Sequence, residues 1–475
     1  MEASVDTDRP GPVARLALAL TAWTERWIPD AFVFALLATV VVVLAALTTT
    51  SATAANVIDA WGGGFWELIP FTLQMSLVII TGYVLASSPP IHRLIDRLAA
   101  RPRSPRGAVC LVTVFALVSS WFNWGFSLAF SAVLARRVAL RVAVDYRAIA
   151  AASVLGLGSI WAQGLSGSAA LQMATPGALQ PRIRDIVAHG NVVPSGIIGF
   201  KHTIFLWQSL TSVAVEIVVV SLVMWFATPH VGSGRTARDL GIVEKDDDDE
   251  LENAATAPVP GAWLEQSGLL TWAIGLLGIA YLARYFAAAP EPLNSLNLNI
   301  INFIFLFAGL LLHGTPARLL RAVRAATPAV WGIILQYPFY AGIAAVITST
   351  RLNERLAGAF VEISNHTTYP AIVALYSAVL GVFVPSGGSK WVVEAPYVME
   401  AAHRLGVHLG WVVASYDLGE ALANLVQPFW MLPVLGVLRL QARDIMGYTF
   451  IVFLVLTPLV TILVTVLGMT LRYPL

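Results

Sequence analysis

Charge is what this chain has least of: only 12% of its 475 residues are Asp, Glu, Lys or Arg, half of the roughly 25% typical of a soluble domain. With 57% hydrophobic residues and a mean hydropathy of +0.74, a water-soluble globule is excluded. The net charge of +1 gives no support to nucleic-acid or acidic-substrate binding and directs attention to where the few charges lie. The single cysteine, Cys110, cannot form an internal disulfide and reads as inert packing in an apolar run. The eight histidines show no metal-ligand spacing, and there is no nucleophile triad and no nucleotide-binding motif. Catalysis and ATP-driven pumping therefore have no residues to carry them, and a membrane enzyme ranks last among the readings. No cofactor or metal is expected beyond a coupling H⁺ or Na⁺. Ten-residue segments of alternating hydropathy, the mark of a transmembrane β-barrel, are missing as well. Residues 1–26 carry both signs of charge and lack a cleavable signal pattern, so the first apolar run is expected to stay as a membrane helix.

What the chain has in quantity is apolar runs near the ~20 residues with which a helix crosses ~30 Å of hydrocarbon. The expected fold is an all-α polytopic membrane protein with nine spans: Trp27 to Thr49, Phe65 to Ser87, Arg147 to Thr175, Ser195 to Thr228, Ser267 to Phe286, Asn294 to His313, Thr327 to Thr348, Gly410 to Leu438 and Gly447 to Leu471. Two further stretches, 107–140 and 370–405, are broken centrally and read as re-entrant hairpins. Most Lys and Arg fall on one side if the amino terminus is cytoplasmic, which places the carboxyl terminus outside an inner membrane. The order span, span, hairpin, broken span, span occurs twice, with Gly125 falling on Gly387 and Ser127 on Ser389. Residues 1–228 and 291–475 thus read as inverted-topology repeats. A connecting span, 262–290, turns the second upside down. Between them, 229–261 is a polar linker with the acidic run Asp246 to Glu250, read as a flexible connector. Arg93 to Arg101 and Arg318 to Arg324 read as amphipathic surface segments.

Non-helical backbone in hydrocarbon leaves unpaired N–H and C=O groups at several kcal/mol each, so it persists only where it lines a cavity. Four breaks qualify: Ser119 to Ser127, Gln163 to Ser168, Pro385 to Ser389, and Asn424 to Pro428. Helix starts beyond them point N–H groups and a positive dipole end at their surroundings, suited to a small organic anion. The candidate substrate-binding residues are Ser120, Asn123, Gly125, Ser166, Ser168, Ser386, Gly387, Gly388, Ser389, Lys390, Asn424 and Gln427. The competing reading is that these small residues only let helices pack closely. Charges inside spans cost at least ~2.5–3.5 kcal/mol at the bilayer centre. Lys390 could be a substrate counter-ion or could pair with Glu394 one turn along its own helix. Asp417 and Glu420 could take up a coupling proton or Na⁺, or form a structural pair. Lys201 and Glu216 fall on one span, with Lys201 near enough to its end to snorkel. Aromatic residues around the breaks, Trp121, Phe122, Trp124, Phe126, Trp391, Phe429 and Trp430, could wall a small apolar pocket.

The motifs Asn123-Trp124-Gly125-Phe126, Ser166-Gly167-Ser168 with Ala174-Thr175-Pro176-Gly177, and Gln336 to Gly342 resemble those of the bacterial short-chain fatty acid transporter family. Val384 to Gly388, Gln427 to Trp430 and Arg443 to Tyr448 extend the resemblance, in order, along nearly the whole chain. The resemblance implies uptake of acetoacetate, butyrate and similar acids by secondary active transport. It also implies a place in a wider ion-transporter superfamily with paired hairpins and an elevator motion, and a homodimer. A dicarboxylate or amino-acid carrier is the alternative within transport, and an anion channel the alternative outside it.

Overall fold

The computed structural model describes positions 12, 15, 16, 19 and 26 and residues 31–475 apart from 67–68, 175–180, 231, 233, 243–260, 290–297, 353–354, 356–361, 363, 384–386 and 428. Among the described residues the regular backbone is all helical, with no strand. The first part of the chain forms α1 (Ala31–Thr49), α2 (Ala54–Gly64), α3 (Ile69–Ala86), α4 (Pro89–Ala99), α5 (Pro105–Phe122), α6 (Trp124–Arg141), α7 (Tyr146–Ala152), α8 (Ser168–Ala174), α9 (Pro181–Val187) and α10 (Trp207–Ala227). The remainder forms α11 (Gly268–Ala288), α12 (Leu298–His313), α13 (Pro316–Ala326), α14 (Trp331–Ser349), α15 (Tyr369–Phe383), α16 (Gly387–Leu405), α17 (Leu409–Ala423), α18 (Leu432–Leu438) and α19 (Ala442–Gly468). By length and composition α5, α10, α11 and α19 can each cross a membrane, and α1, α12, α14 and α15 contain shorter apolar helices. The chain is a multi-pass membrane protein.

Local chemistry explains the helix ends. Ser104 and Asn123 cap α5 and α6 through Gly107 N–H and Phe126 N–H, and Asp145 caps α7 through Ala148 N–H. The two Arg-bearing segments are short amphipathic helices, α4 and α13, each with Pro in its first turn and Arg in its last, which suits the missing N–H and the dipole. Ser127 Oγ donates to the Ala116 carbonyl at 2.7 Å, so α6 folds back on α5. The acidic run Asp246 to Glu250 lies outside the described residues.

Two expected spans take another form. Arg147 to Thr175 is α-helical only in α7 and α8, with one 3-10 turn at Ile160–Gln163 between them, and the break opens at Ser153 rather than Gln163. Its glycines are the reason. Gly156 sits against the Ala116 carbonyl and Gly164 against the Trp121 carbonyl, where a Cβ would collide, so backbone touches backbone and the segment is held by Leu165 N–H donating to Trp121 O at 2.8 Å. Ser195 to Thr228 is α-helical only from Trp207, after a 3-10 turn at Phe200–His202. Gly196 holds a positive φ of 62°, which a helix cannot use, and Lys201 lies exposed in the turn Phe200–His202.

Two neighbouring sets of helices share one apolar core. In one, α1 and α2 lie on α14 and α3 lies on α12, where His313 Nε2 meets the Val84 carbonyl at 2.8 Å and Asn302 donates to the Gln74 carbonyl at 2.9 Å. The other is built around α17, every residue of which is buried. A largely apolar cavity lined by Ile79, Tyr83, Trp124, Leu128, Val434 and Val437 lies where α3 meets α6 and α18.

α15 and α17 cross closely, with Gly419 abutting the Ala374 carbonyl and Gly381 abutting Ala423, the small-residue contact by which membrane helices approach. Gly419→Ala is expected to destabilise the fold by about 1–3 kcal/mol through overpacking. Gly62→Ala, with open space around it, is expected to be neutral. Thermal unfolding in detergent distinguishes them.

Candidate substrate and coupling site

The α15 and α17 crossing sets Ser377 opposite Glu420, and Lys390 from the first turn of α16 reaches between them. Its Nζ lies 2.6 Å from Glu420 Oε2, with the two side chains 3% and 1% exposed. It also donates to the Ser377 carbonyl at 2.8 Å and meets Ser377 Oγ at 3.1 Å. The Tyr416 ring centre is 5.0 Å away. An ammonium has three donors, and here a carboxylate, a carbonyl and a hydroxyl take them. That is the condition under which an ion pair survives burial. Lys390 thus pairs with Glu420, a partner the sequence did not suggest, and not with Glu394. Glu394 is buried too, and its Oε2 has no hydrogen-bond partner among the described residues.

Asp417, nearly one turn before Glu420, points elsewhere. Both of its oxygens accept from Ala169 N–H at 3.0 Å, and Oδ2 also accepts from Ala170 N–H at 3.0 Å. A carboxylate from a distant helix thus satisfies the start of α8, the role an N-cap side chain usually fills. The start of α6 is likewise occupied, by Asn123 Oδ1 and by Ser166 Oγ, which accepts from Trp124 N–H at 3.2 Å. Two helix starts expected to face an anion therefore already hold acceptors of the protein itself.

The start of α16 lies beside the ion pair. A Cβ on Gly387 would come within 3.0 Å of Glu420 Cγ and 3.2 Å of Ser168 Oγ. Gln172 Nε2 donates to the Gly388 carbonyl at 2.9 Å. Gly387, Gly388, Ser168, Lys390 and Glu420 are therefore together, with Asp417 holding α8 behind them. Ser389 lies on the same first turn of α16, and Ser386 lies outside the described residues. The chain of contacts continues through Ser166 to Trp124, whose ring is 5.3 Å from that of Trp430, and Gly125 lines the apolar cavity. Asn424, one turn after Glu420, donates to the Leu157 carbonyl at 3.2 Å and ties the second break to the first. Gln427 is buried beside Tyr340. Ser120 is buried with no hydrogen-bond partner for its hydroxyl among the described residues.

Sequence reasoning missed Ser377 and Gln172, which bind Lys390 and the hairpin tip. The available signal was a lone hydroxyl in an apolar arm and a lone amide after a break. Among the described residues no group of three or more His, Cys, Asp or Glu is placed to hold a metal.

The pattern of the short chain fatty acid transporter family matches residues 12–468. A protein of Escherichia coli (strain K12), provisionally named a short-chain fatty acid transporter, is 37% identical over 437 residues, covering 92% of this chain and 96% of its own. A protein of Haemophilus influenzae (strain ATCC 51907 / DSM 11121 / KW20 / Rd) with the same provisional name is 33% identical over 452 residues, covering 94% and 98%. Among solved structures, MtrF of Neisseria gonorrhoeae, described within a class of antimetabolite efflux pumps, is 16% identical with a TM-score of 0.44, covering 96% of this chain and 98% of its own. The YdaH transporter of Alcanivorax borkumensis is 16% identical with a TM-score of 0.43, covering 96% and 99%. At such scores neither structure bears on fold or function. The family pattern spans residues 12–468 and both relatives are more than 30% identical over more than nine-tenths of the chain, and the chain belongs to the short-chain fatty acid transporter family.

Proposed function

We propose that this protein carries short-chain monocarboxylates, acetoacetate and butyrate among them, by secondary active transport coupled to H⁺ or Na⁺, and that Lys390 receives the carboxylate. The observation that carries this reading is the buried ammonium of Lys390 with a carboxylate as its partner. A substrate carboxylate has the charge and the two oxygens of the Glu420 side chain. It can replace that group at Nζ if Glu420 is neutralised by a proton or a sodium ion. Binding of the anion then requires binding of the cation, which is the thermodynamic linkage a symporter needs. Gly387 and Gly388 let the start of α16 pack against Glu420, Ser168 and Gln172, and Trp391 and Tyr416, with ring centres 4.6 Å apart, supply an apolar wall. Each buried methylene contributes ~0.8 kcal/mol, roughly fourfold in affinity per carbon. Asp417 is the second candidate for the coupling ion, through the cap it makes on α8.

Monocarboxylates are favoured over dicarboxylates because, among the described buried residues, the only other cation is Arg147, which is paired with Asp145. In the same reading the chain lies in a bacterial inner membrane with its amino terminus cytoplasmic and its carboxyl terminus outside. The two halves are inverted repeats, the group around α17 moves against the group around α14, and two copies form a homodimer.

Labelled butyrate uptake into proteoliposomes, with proton or sodium gradients imposed in turn, tests the function. Saturable uptake driven by one of the gradients and competed by unlabelled acetoacetate is expected. Absence of saturable uptake for every C2 to C6 acid would overturn it, and currents without countertransport would point to a channel.

A further inference from the structure

One buried acid plays no part in the site above. Glu216, midway along α10, is 0% exposed. Its Oε1 accepts from Gln163 Nε2 at 2.7 Å and from Ser212 Oγ at 2.8 Å. Its Oε2 has no partner among the described residues, nor has Gln163 Oε1. Two donors on one oxygen and none on the other is the pattern of a carboxylic acid, with Oε1 as the carbonyl oxygen and the proton on Oε2. An ionised group would keep a bare, charged oxygen away from water with no cation to offset it.

The surroundings bear this out. α10 packs against α5, α7, α19 and the turn Ile160–Gln163. Arg106 of α5 meets His230 beyond the end of α10 at 3.4 Å. The Tyr146 backbone N–H of α7 donates to the Arg235 carbonyl, its hydroxyl donates to the Leu438 carbonyl, and Arg147 pairs with Asp145. Cys110 lies little more than a turn from the start of α5, and Arg443, Asp444 and Tyr448 lie in the first turns of α19, whose far end meets Gln208 through Thr470. All these titratable groups therefore sit toward the end of α10 at Ala227, about 16 Å along the helix from Glu216 at ~1.5 Å per residue. The Ile160–Gln163 turn contributes no titratable side chain. Ser212 and Gln163 are the groups that face it.

Gln163 belongs to the glycine-rich break, which the site uses on every side: Leu157 O holds Asn424, Ser166 holds the α6 start, and Asp417 holds α8. A half-turn of the Gln163 amide would let its free oxygen accept the Glu216 hydroxyl. Withdrawal of the segment would remove both the donor and the seal. We propose that Glu216 is a second proton-binding site of the transport cycle, occupied when the break is packed as seen here and emptied when the break moves. The proton exchanged is one from water, Glu–COO⁻ plus H₃O⁺ giving Glu–COOH and water. The coupling role rests on the transport reading above; the protonation does not.

Two measurements on the full-length protein test it. Infrared spectroscopy in detergent at neutral pH should show the C=O stretch of a buried protonated carboxylic acid, lost in Glu216→Gln and retained, shifted, in Glu216→Asp. In proteoliposomes Glu216→Gln should keep butyrate exchange within about twofold of the parent while gradient-driven accumulation falls at least tenfold and loses its dependence on internal pH, and Glu216→Asp should restore part of it. The absence of that band, or accumulation by Glu216→Gln equal to the parent, would overturn the proposal. If the parent transports no short acid at all, the transport reading fails and so does the coupling role, while the band still decides whether Glu216 holds a proton.

Discussion

Lys390→Met is expected to abolish butyrate uptake and to lower stability by about 3–5 kcal/mol, the usual cost of breaking a buried pair from one side. The loss comes less from the missing attraction than from what is left: Glu420, 1% exposed, would hold a charge with no ammonium beside it, and the Ser377 carbonyl would lose its donor. Adding Glu420→Gln removes that charge. The double variant Lys390→Met/Glu420→Gln should therefore regain most of the stability, read as the midpoint of thermal unfolding in detergent, because exchanging a buried ion pair for neutral groups is often neutral or stabilising. Uptake should stay below a tenth of the parent in both, since neither offers a cation to the substrate. Ordinary uptake by the stable double variant would refute the role given to Lys390, whereas loss of uptake in an unstable single variant alone would not establish it.

Asp417→Ala should be nearly as damaging, for a different reason. Its carboxylate satisfies two buried N–H groups at the start of α8, and hydrogen bonds to charged groups are worth about 1.5–3 kcal/mol each. Their removal should cost roughly 3 kcal/mol and loosen the Ser166 to Gln172 segment that touches the hairpin tip. Asp417→Asn keeps one acceptor oxygen and should lose less. Hydrogen exchange reads the effect at the right place: the Ala169 and Ala170 amides should exchange at least tenfold faster in Asp417→Ala, with Asp417→Asn between it and the parent. Unchanged protection at those amides would mean that the cap contributes nothing.

The sequence made much of this site legible. Asn123 and Asn424 marked breaks because a polar residue among apolar neighbours at membrane depth must be lining or bonding something, and in the fold each does bond across to the glycine-rich segment or to its own helix start. The length of that segment was not legible. Ala151 to Ile160 reads as apolar as a span, and only the packing of Gly156 and Gly164 on carbonyls of α5 shows why it is not helical. The partner of Lys390 was misjudged in kind as well. Glu394 is one turn along the same helix and the obvious local choice, yet the side chain bonds across to α17.

Composition and periodicity alone determined that this is an all-helical membrane protein, that some of its apolar runs are interrupted, and which charges are too costly to be incidental. Those are properties of residues against lipid and water, and they need no neighbour. Which acceptor each donor meets was decided only by the tertiary structure. Hydrogen bonds and ion pairs act over about 3 Å, and the close contacts of Gly381, Gly387 and Gly419 bring Ser377, Lys390 and Glu420 within that range from three different helices.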